Sequence, residues 1–232
     1  MTNGSVGRHV SSGSGSGPAP ARWSRGARHT VAVAGVLLLA GCGVAASSNV
    51  PQLSSGTQWA GAELLHPLHR PSFTLTDDAG QPYDFAAQTR GKLTLLYFGY
   101  THCPDICPLN MADTAAALGD LPAGVRARIT VVFVTTDPAR DTPAVLRAWL
   151  ARYDPAFIGL TGSPAEIELA QIAANVPPSA IEATGKGSYV VDHAGYVIAY
   201  TRDNLAHMTY PAGVEPSAEA KDLSRLVTGW KD

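Results

Sequence analysis

Charge is scarce in this chain: 16% of its 232 residues are Asp, Glu, Lys or Arg, and the formal net charge is −2. That balance excludes the basic footprint of a nucleic-acid binder. Long apolar runs are also missing. The most apolar stretch near the N-terminus, Val31 to Ala40 (VAVAGVLLLA), has ten residues, too few to cross about 30 Å of hydrocarbon as a helix. Cysteine is confined to Cys42, Cys103 and Cys107, so any thiol chemistry must be found among those three. There are no internal repeats, which sets aside arrays of stacked units. Apolar residues, by contrast, make up 45% of the chain. That share and the length fit one globular domain of ordinary size plus extra segments.

The first residues are too poor in apolar side chains to offset the entropy of ordering. Met1 to Ala21 is dominated by Gly and Ser. Arg22, Arg25 and Arg28 then precede the short apolar run, the pattern of a signal peptide. Leu39-Ala40-Gly41-Cys42 follows at once and resembles the lipobox of bacterial lipoproteins. The resemblance implies acylation of Cys42 as the first mature residue and a lipid anchor at the extracytoplasmic face of the cell membrane. Residues 1–41 are then a disordered region plus a lipoprotein signal peptide. Residues 42–62, small and polar, are a flexible tether, and the domain runs over 63–232. Disulfides persist in that compartment, and capping of Cys42 leaves Cys103 and Cys107 as the thiols.

From about Glu63 the pattern changes. SFTLTD alternates as a strand should, with Phe73 and Leu75 on one face, and DDAGQP is a turn cluster. LTLLYFGY and ARITVVFVTT are nearly continuous apolar runs, typical of central strands buried on both faces. Thr142-Pro143 marks a helix start ahead of Val145, Leu146, Trp149 and Leu150. Ser163-Pro164-Ala165-Glu166 reads as a capping box, with Leu169, Ile172, Ala173 and Val176 forming the apolar side of its helix. SYVVDHAGYVIAYTR reads as a hairpin turning at Ala194-Gly195, and Leu223, Leu226, Val227 and Trp230 as a closing amphipathic helix. Strands alternating with helices predict an α/β sheet covered on both sides. The order is compatible with a thioredoxin-like fold preceded by an N-terminal β-hairpin.

Cys103 then falls at the end of a central strand and Cys107 at the start of the next helix. Open α/β sheets place their sites there, and a helix N-terminus lowers a thiol's pKa. Pro104 and Pro108 stiffen the loop. A structural disulfide would close a very small loop and constrain the unfolded chain little. A redox dithiol would depart from Cys-x-x-Cys by one residue. A metal site would suit soft ions such as Cu(I) or Zn(II), but needs a third ligand. Spacing does not choose between the last two. Among the histidines, His66 and His69 read as solvated loop positions before the first strand. His102 reads as a structural partner of the cysteine loop. His207 beside Met208 sits in a Pro/Gly-flanked loop and is disfavoured as a soft-metal pair. His193 follows an apolar strand directly and is presented from a turn; position alone favours a hydrogen-bonded turn histidine.

Together, RGKLTLLYFGYTHCPDICP, TTDPARDTPAVLRAWL, GLTGSPAEI and YVVDHAGYVIAY resemble the motifs of the Sco/SenC family, from about Ser72 to Arg202. These are membrane-anchored, thioredoxin-like copper proteins that serve assembly of the Cu(A) centre of cytochrome c oxidase. The resemblance implies one copper ion, as Cu(I), Cu(II) or both, held by Cys103, Cys107 and His193. It places Asp192 as an acidic group beside the ring. It implies a metallochaperone rather than an enzyme, an oxidase subunit carrying Cu(A) as recipient, and an upstream copper donor protein. The same cysteines would serve a thiol-disulfide oxidoreductase that reduces the Cu(A) cysteines, with Cys103 attacking and Cys107 resolving, or a redox or copper sensor. PLNMADT after Cys107 lacks the acidic residues expected of the family there. DPARDTP, Asp137 to Pro143, reads most simply as a turn and helix cap, with a structural or partner-docking role.

Overall fold

The computed structural model describes residues 59–185 and 187–230. Cys42, residues 1–41 and nearly all of the 42–62 segment lie outside the described residues. Strand β1 (Ala62–His69) is followed by the hairpin β2 (Thr74–Asp77) and β3 (Pro82–Asp84) and by a short helix α1 (Phe85–Thr89). Asp77 makes the hairpin turn, accepting from the amides of Ala79 at 2.9 Å and Gln81 at 2.7 Å. Strand β4 (Leu93–Gly99) feeds helix α2 (Ile106–Gly119), then one turn of α3 (Ala123–Arg126) and β5 (Ile129–Thr135). Next come α4 (Pro143–Leu150), β6 (Ile158–Thr161) and α5 (Pro164–Ala173). The chain closes with β7 (Ala180–Gly185), β8 (Ser188–Asp192), β9 (Tyr196–Tyr200), β10 (Leu205–Pro211) and α6 (Pro216–Leu226).

Eight strands form one sheet in the order β1-β10-β9-β4-β5-β6-β2-β3. Its centre, β4-β5-β6, is parallel, and its remaining pairings are antiparallel. Alternation along β4 explains why every residue of that run is apolar or small. Leu93, Leu95 and Tyr97 enter a core shared with Met111 of α2, Leu146 and Trp149 of α4 and Leu223 of α6. Leu96 and Phe98 enter the opposite core with Phe85 of α1 and Ile167 and Ala170 of α5. This is the mixed α/β, thioredoxin-like architecture that the strand and helix pattern predicts. The caps form where expected: Thr142 accepts from the Val145 amide, and Ser163 and Glu166 make a reciprocal capping box.

Three local expectations fail. β8 and β9 are both strands, yet they do not make a hairpin. β8 pairs with β7 in a separate two-stranded sheet, while β9 lies between β10 and β4. Strand pairing is a long-range choice, and the adjacent sequence shows only that both segments are extended. On α5, Leu169 and Ile172 are 65% and 53% exposed, and Ile167, Ala170 and Gln171 are buried instead. Ile167 and Ala170 pack into the core with Leu96 and Phe98, which leaves Leu169 and Ile172 on the outer face of the helix. Finally, three histidines expected in loops lie in strands: His66 and His69 in β1 and His207 in β10. β1 is an edge strand that holds Pro67 and a register shift between Glu63 and Leu68, and these break the alternation that a period-two search looks for.

Candidate metal centre

The site forms where β4 gives way to α2. Asp105 caps the helix by accepting from the Ile106 amide at 2.6 Å. Cys107 lies in the first turn, and its amide points at the Cys103 sulfur, 3.4 Å away. Free backbone donors at a helix start favour negative charge at that place. Cys103 is 8% exposed and Cys107 fully buried. Tyr97 seals Cys107 from below, its hydroxyl donating to Sγ at 3.5 Å, and Asn110 Nδ2 donates to the same phenol oxygen at 3.3 Å. Gly99 is required by space: a Cβ there would lie 2.8 Å from Cys107 Sγ and 2.5 Å from the Tyr97 ring.

His193 arrives at the end of β8 from the small sheet. Its Nε2 lies 3.3 Å from Cys107 Sγ, and its ring stands edge-on to Tyr97 and Tyr100, with centroids 5.9 Å and 5.6 Å away. Nδ1 faces the Ala194 carbonyl at 3.1 Å. Cys103, Cys107 and His193 thus bring two sulfurs and one nitrogen within 4.8 Å of one another, the only such cluster among the described residues. A cleft of about 510 Å³ opens beside Cys103 and His193, with Asp105, Glu182 and Asp192 among its lining.

The two thiols differ sharply. Cys103 is pushed down to about 5, chiefly by the hydrogen bond from the Cys107 thiol, with His193 and the Cys107 amide assisting and burial opposing. Cys107 is pushed up, first by burial and then by the neighbouring Cys103 sulfur. Burial, reinforced by Cys107, also raises Tyr97. At neutral pH the pair is one thiolate hydrogen-bonded by one thiol. The donor set fits a soft cation: two sulfurs and an imidazole match the preference of Cu(I), and an added oxygen would suit Cu(II).

The other candidates donate no atom to the cluster. Asp192 ends β8 as an exposed residue and lines the cleft with His193, whose Nδ1 faces the Ala194 carbonyl. His102 lies 3.1 Å from Thr101 Oγ1 and 3.7 Å from Asp141, outside the cluster. His207 is buried, stacked on Trp230 at 4.4 Å and 2.8 Å from Asp203, and Met208 packs in the core. DPARD does more than cap a helix. Asp141, fully buried, accepts from the Thr101 amide at 2.9 Å, from Thr101 Oγ1 at 2.5 Å and from Thr135 at 2.7 Å, fixing the loop that carries Cys103. Sequence reading passes over Tyr97, Tyr100 and Asn110 because aromatic and polar residues in an apolar strand and a helix look like ordinary packing. Their only sequence signal is adjacency to the cysteine motif.

The model of the SCO1/SenC family matches residues 62–228. Protein SenC of Rhodobacter capsulatus is 35% identical over 163 residues, which cover 66% of this chain and 70% of SenC. Mitochondrial SCO2 of Saccharomyces cerevisiae is 43% identical over 91 residues, 39% of this chain and 30% of that protein. Among solved structures, that of Bradyrhizobium japonicum ScoI with copper bound matches with a TM-score of 0.62 at 33% identity, covering 68% of this chain and 99% of ScoI. The chain spans less than two thirds of some curated relatives, 65% of one from Stutzerimonas stutzeri and 30% of yeast SCO2.

Proposed function

The chain belongs to the SCO1/SenC family, and from that premise we propose that it is a copper-binding metallochaperone for cytochrome c oxidase. In this reading Cys103, Cys107 and His193 hold one copper ion and pass it to the Cu(A) site of an oxidase subunit. Lipid on Cys42 tethers the domain at the extracytoplasmic face of the membrane, where an upstream donor protein loads it. The tether rests on the sequence pattern around Cys42; no helix among the described residues is long and apolar enough to cross a membrane.

The observation that carries the copper reading is the convergence of the three soft donors within 4.8 Å. Copper is cargo here, and no substrate bond is made or broken. Cys103 meets the ion as a thiolate, Cys107 gives up its proton to solvent as it binds, and His193 supplies a neutral nitrogen. Two thiolates and one imidazole around Cu(I) leave a net charge of −1. Transfer then exchanges ligands one at a time with incoming thiolates of the recipient, which approach through the cleft beside Cys103. The test is a Cu(I) titration of the reduced chain against a competing chelator. One equivalent binds to the native chain, and His193→Ala lowers the affinity at least tenfold, on the order of 1.4 kcal/mol. Unchanged affinity in His193→Ala contradicts the three-ligand site.

One observation favours a second reading, reduction of the Cu(A) cysteines before copper arrives. A Cys103 that ionises near pH 5 beside a buried, protonated Cys107 is the attacking and resolving arrangement of a dithiol reductase. Cys103 thiolate would attack the partner disulfide and release one partner thiolate. Cys107, losing its proton, would then displace the second thiolate and leave a Cys103–Cys107 disulfide. Oxidase assembly that survives His193→Ala but fails in either cysteine variant would favour reduction over copper transfer.

A further inference from the structure

The strand that delivers His193 has no place in the main sheet. Among the described residues β7 and β8 pair only with each other, and β7 is exposed along its whole length, so side chains must set the distance between His193 and the cysteines. The base of the hairpin, where Ala180 pairs with Asp192, is tied at Ser179, whose amide donates to Gln171 of α5 at 3.2 Å. Beyond His193, Asn110 donates to the Gly195 carbonyl at 3.4 Å. Between these two ties β8 is held at two neighbouring positions. Tyr189 OH donates to Asp137 Oδ1 at 3.0 Å. The Arg140 guanidinium lies over the Tyr189 ring at 3.8 Å and also pairs with Asp137. Two residues on, the Val191 amide donates to Tyr100 OH at 3.3 Å. Asp137 is itself nearly buried and fixed to the end of β5, its amide donating to Thr135 Oγ1 at 2.9 Å.

We propose that Asp137, Arg140 and Tyr189 are positioning residues for copper, a latch that holds β8 against the sheet so that His193 Nε2 stays within reach of Cys107. The inference rests on the copper reading above and extends it to residues that touch no ligand atom. It gives the two ends of DPARD complementary roles: Asp141 holds the cysteine loop, and Asp137 with Arg140 holds the strand bearing His193. The physics is that of a population. With the latch broken, β8 spends part of its time away from the sheet, and the apparent affinity for copper falls in proportion to the closed fraction. Loss of one part-exposed hydrogen bond, at the ordinary net value and with the ring left in place, changes the ratio of open to closed hairpin by about three- to tenfold.

The test uses the full chain with Tyr189→Phe, which removes the hydroxyl alone, and Tyr189→Leu, which also removes the ring beneath Arg140. Both are made with and without His193→Ala, and thermal unfolding is followed alongside. In the metal-free protein, hydrogen exchange of the Val191 amide should quicken about three- to tenfold in Tyr189→Phe and further in Tyr189→Leu. Cu(I) affinity should fall by up to a similar factor, and should not fall further once His193 is alanine. Unaltered Val191 exchange in both variants overturns the latch, as does an affinity change that is the same with and without His193. A wild-type affinity in His193→Ala alone would instead remove the three-ligand reading, and the exchange measurement would still decide the latch.

Discussion

The sulfur of Cys103 receives the Cys107 amide at the open end of the site, while Cys107 is sealed between Tyr97 and Gly99. One residue type therefore takes on two chemistries four positions apart, set by exposure and by who donates to whom. Because the folded pKa of Cys103 lies below the ordinary thiol value of 9.0, its thiolate persists at every pH above about 5 and is lost only below that. Alkylation of the metal-free, reduced chain by iodoacetamide should accordingly reach half its plateau rate near pH 5 at Cys103, with Cys107 protected. A midpoint at the ordinary thiol value would contradict the assignment. At this scale the sequence is readable where residue type is scarce. Three cysteines and one histidine after an apolar strand are few enough to weigh singly, and the family motifs select among them. Tyr97, Tyr100 and Tyr189 are not readable, because an aromatic residue in a strand looks the same whether it fills a core or walls a site.

At the scale of elements, β4 and β5 are legible because burial on both faces leaves a run almost without polar residues. β1 and β7 are not, since an edge strand and an exposed hairpin arm carry no such pattern, and the partner of β8 depends on tertiary contacts far along the chain. Helix α6 holds a buried acid that no motif announces. Glu219 is 2% exposed, and burial, then Asp113 and Asp222, push it up to about 8. On the same helix Asp222 accepts from the amides of Ala60 and Gly61 at 2.7 Å and 3.0 Å and from Tyr210, tying down the start of the described chain. The folded state holds the Glu219 proton more tightly than the unfolded chain does. Its stabilising effect is complete below the ordinary value of 4.5 and is lost as pH rises to about 8. The Tm of the native chain should therefore fall by several degrees as pH is raised through that window, and Glu219→Gln should flatten the decline. Parallel Tm curves for the two proteins would show that Glu219 ionises freely in the fold.

For the molecule as a whole, the fold brings a cysteine loop from the end of a central strand to a histidine far along the chain, and DPARD grips both. The α/β class and the placement of the cysteines at the carboxyl end of β4 follow from short-range patterns of burial. The meeting of β8 with the cysteine loop does not, because it is made by tertiary contacts to Tyr100, Asp137 and Arg140. The family resemblance supplies that meeting from the sequence, and the contacts around Tyr189 and Val191 give it a physical cause. In the proposed copper site two sulfurs and one imidazole nitrogen hold the ion. X-ray absorption at the copper edge of the Cu(I)-loaded chain tests it most directly. The expected spectrum has a shell of two sulfurs and one nitrogen, with the nitrogen lost in His193→Ala. A shell of sulfur alone in the native chain, unchanged by that substitution, would contradict it.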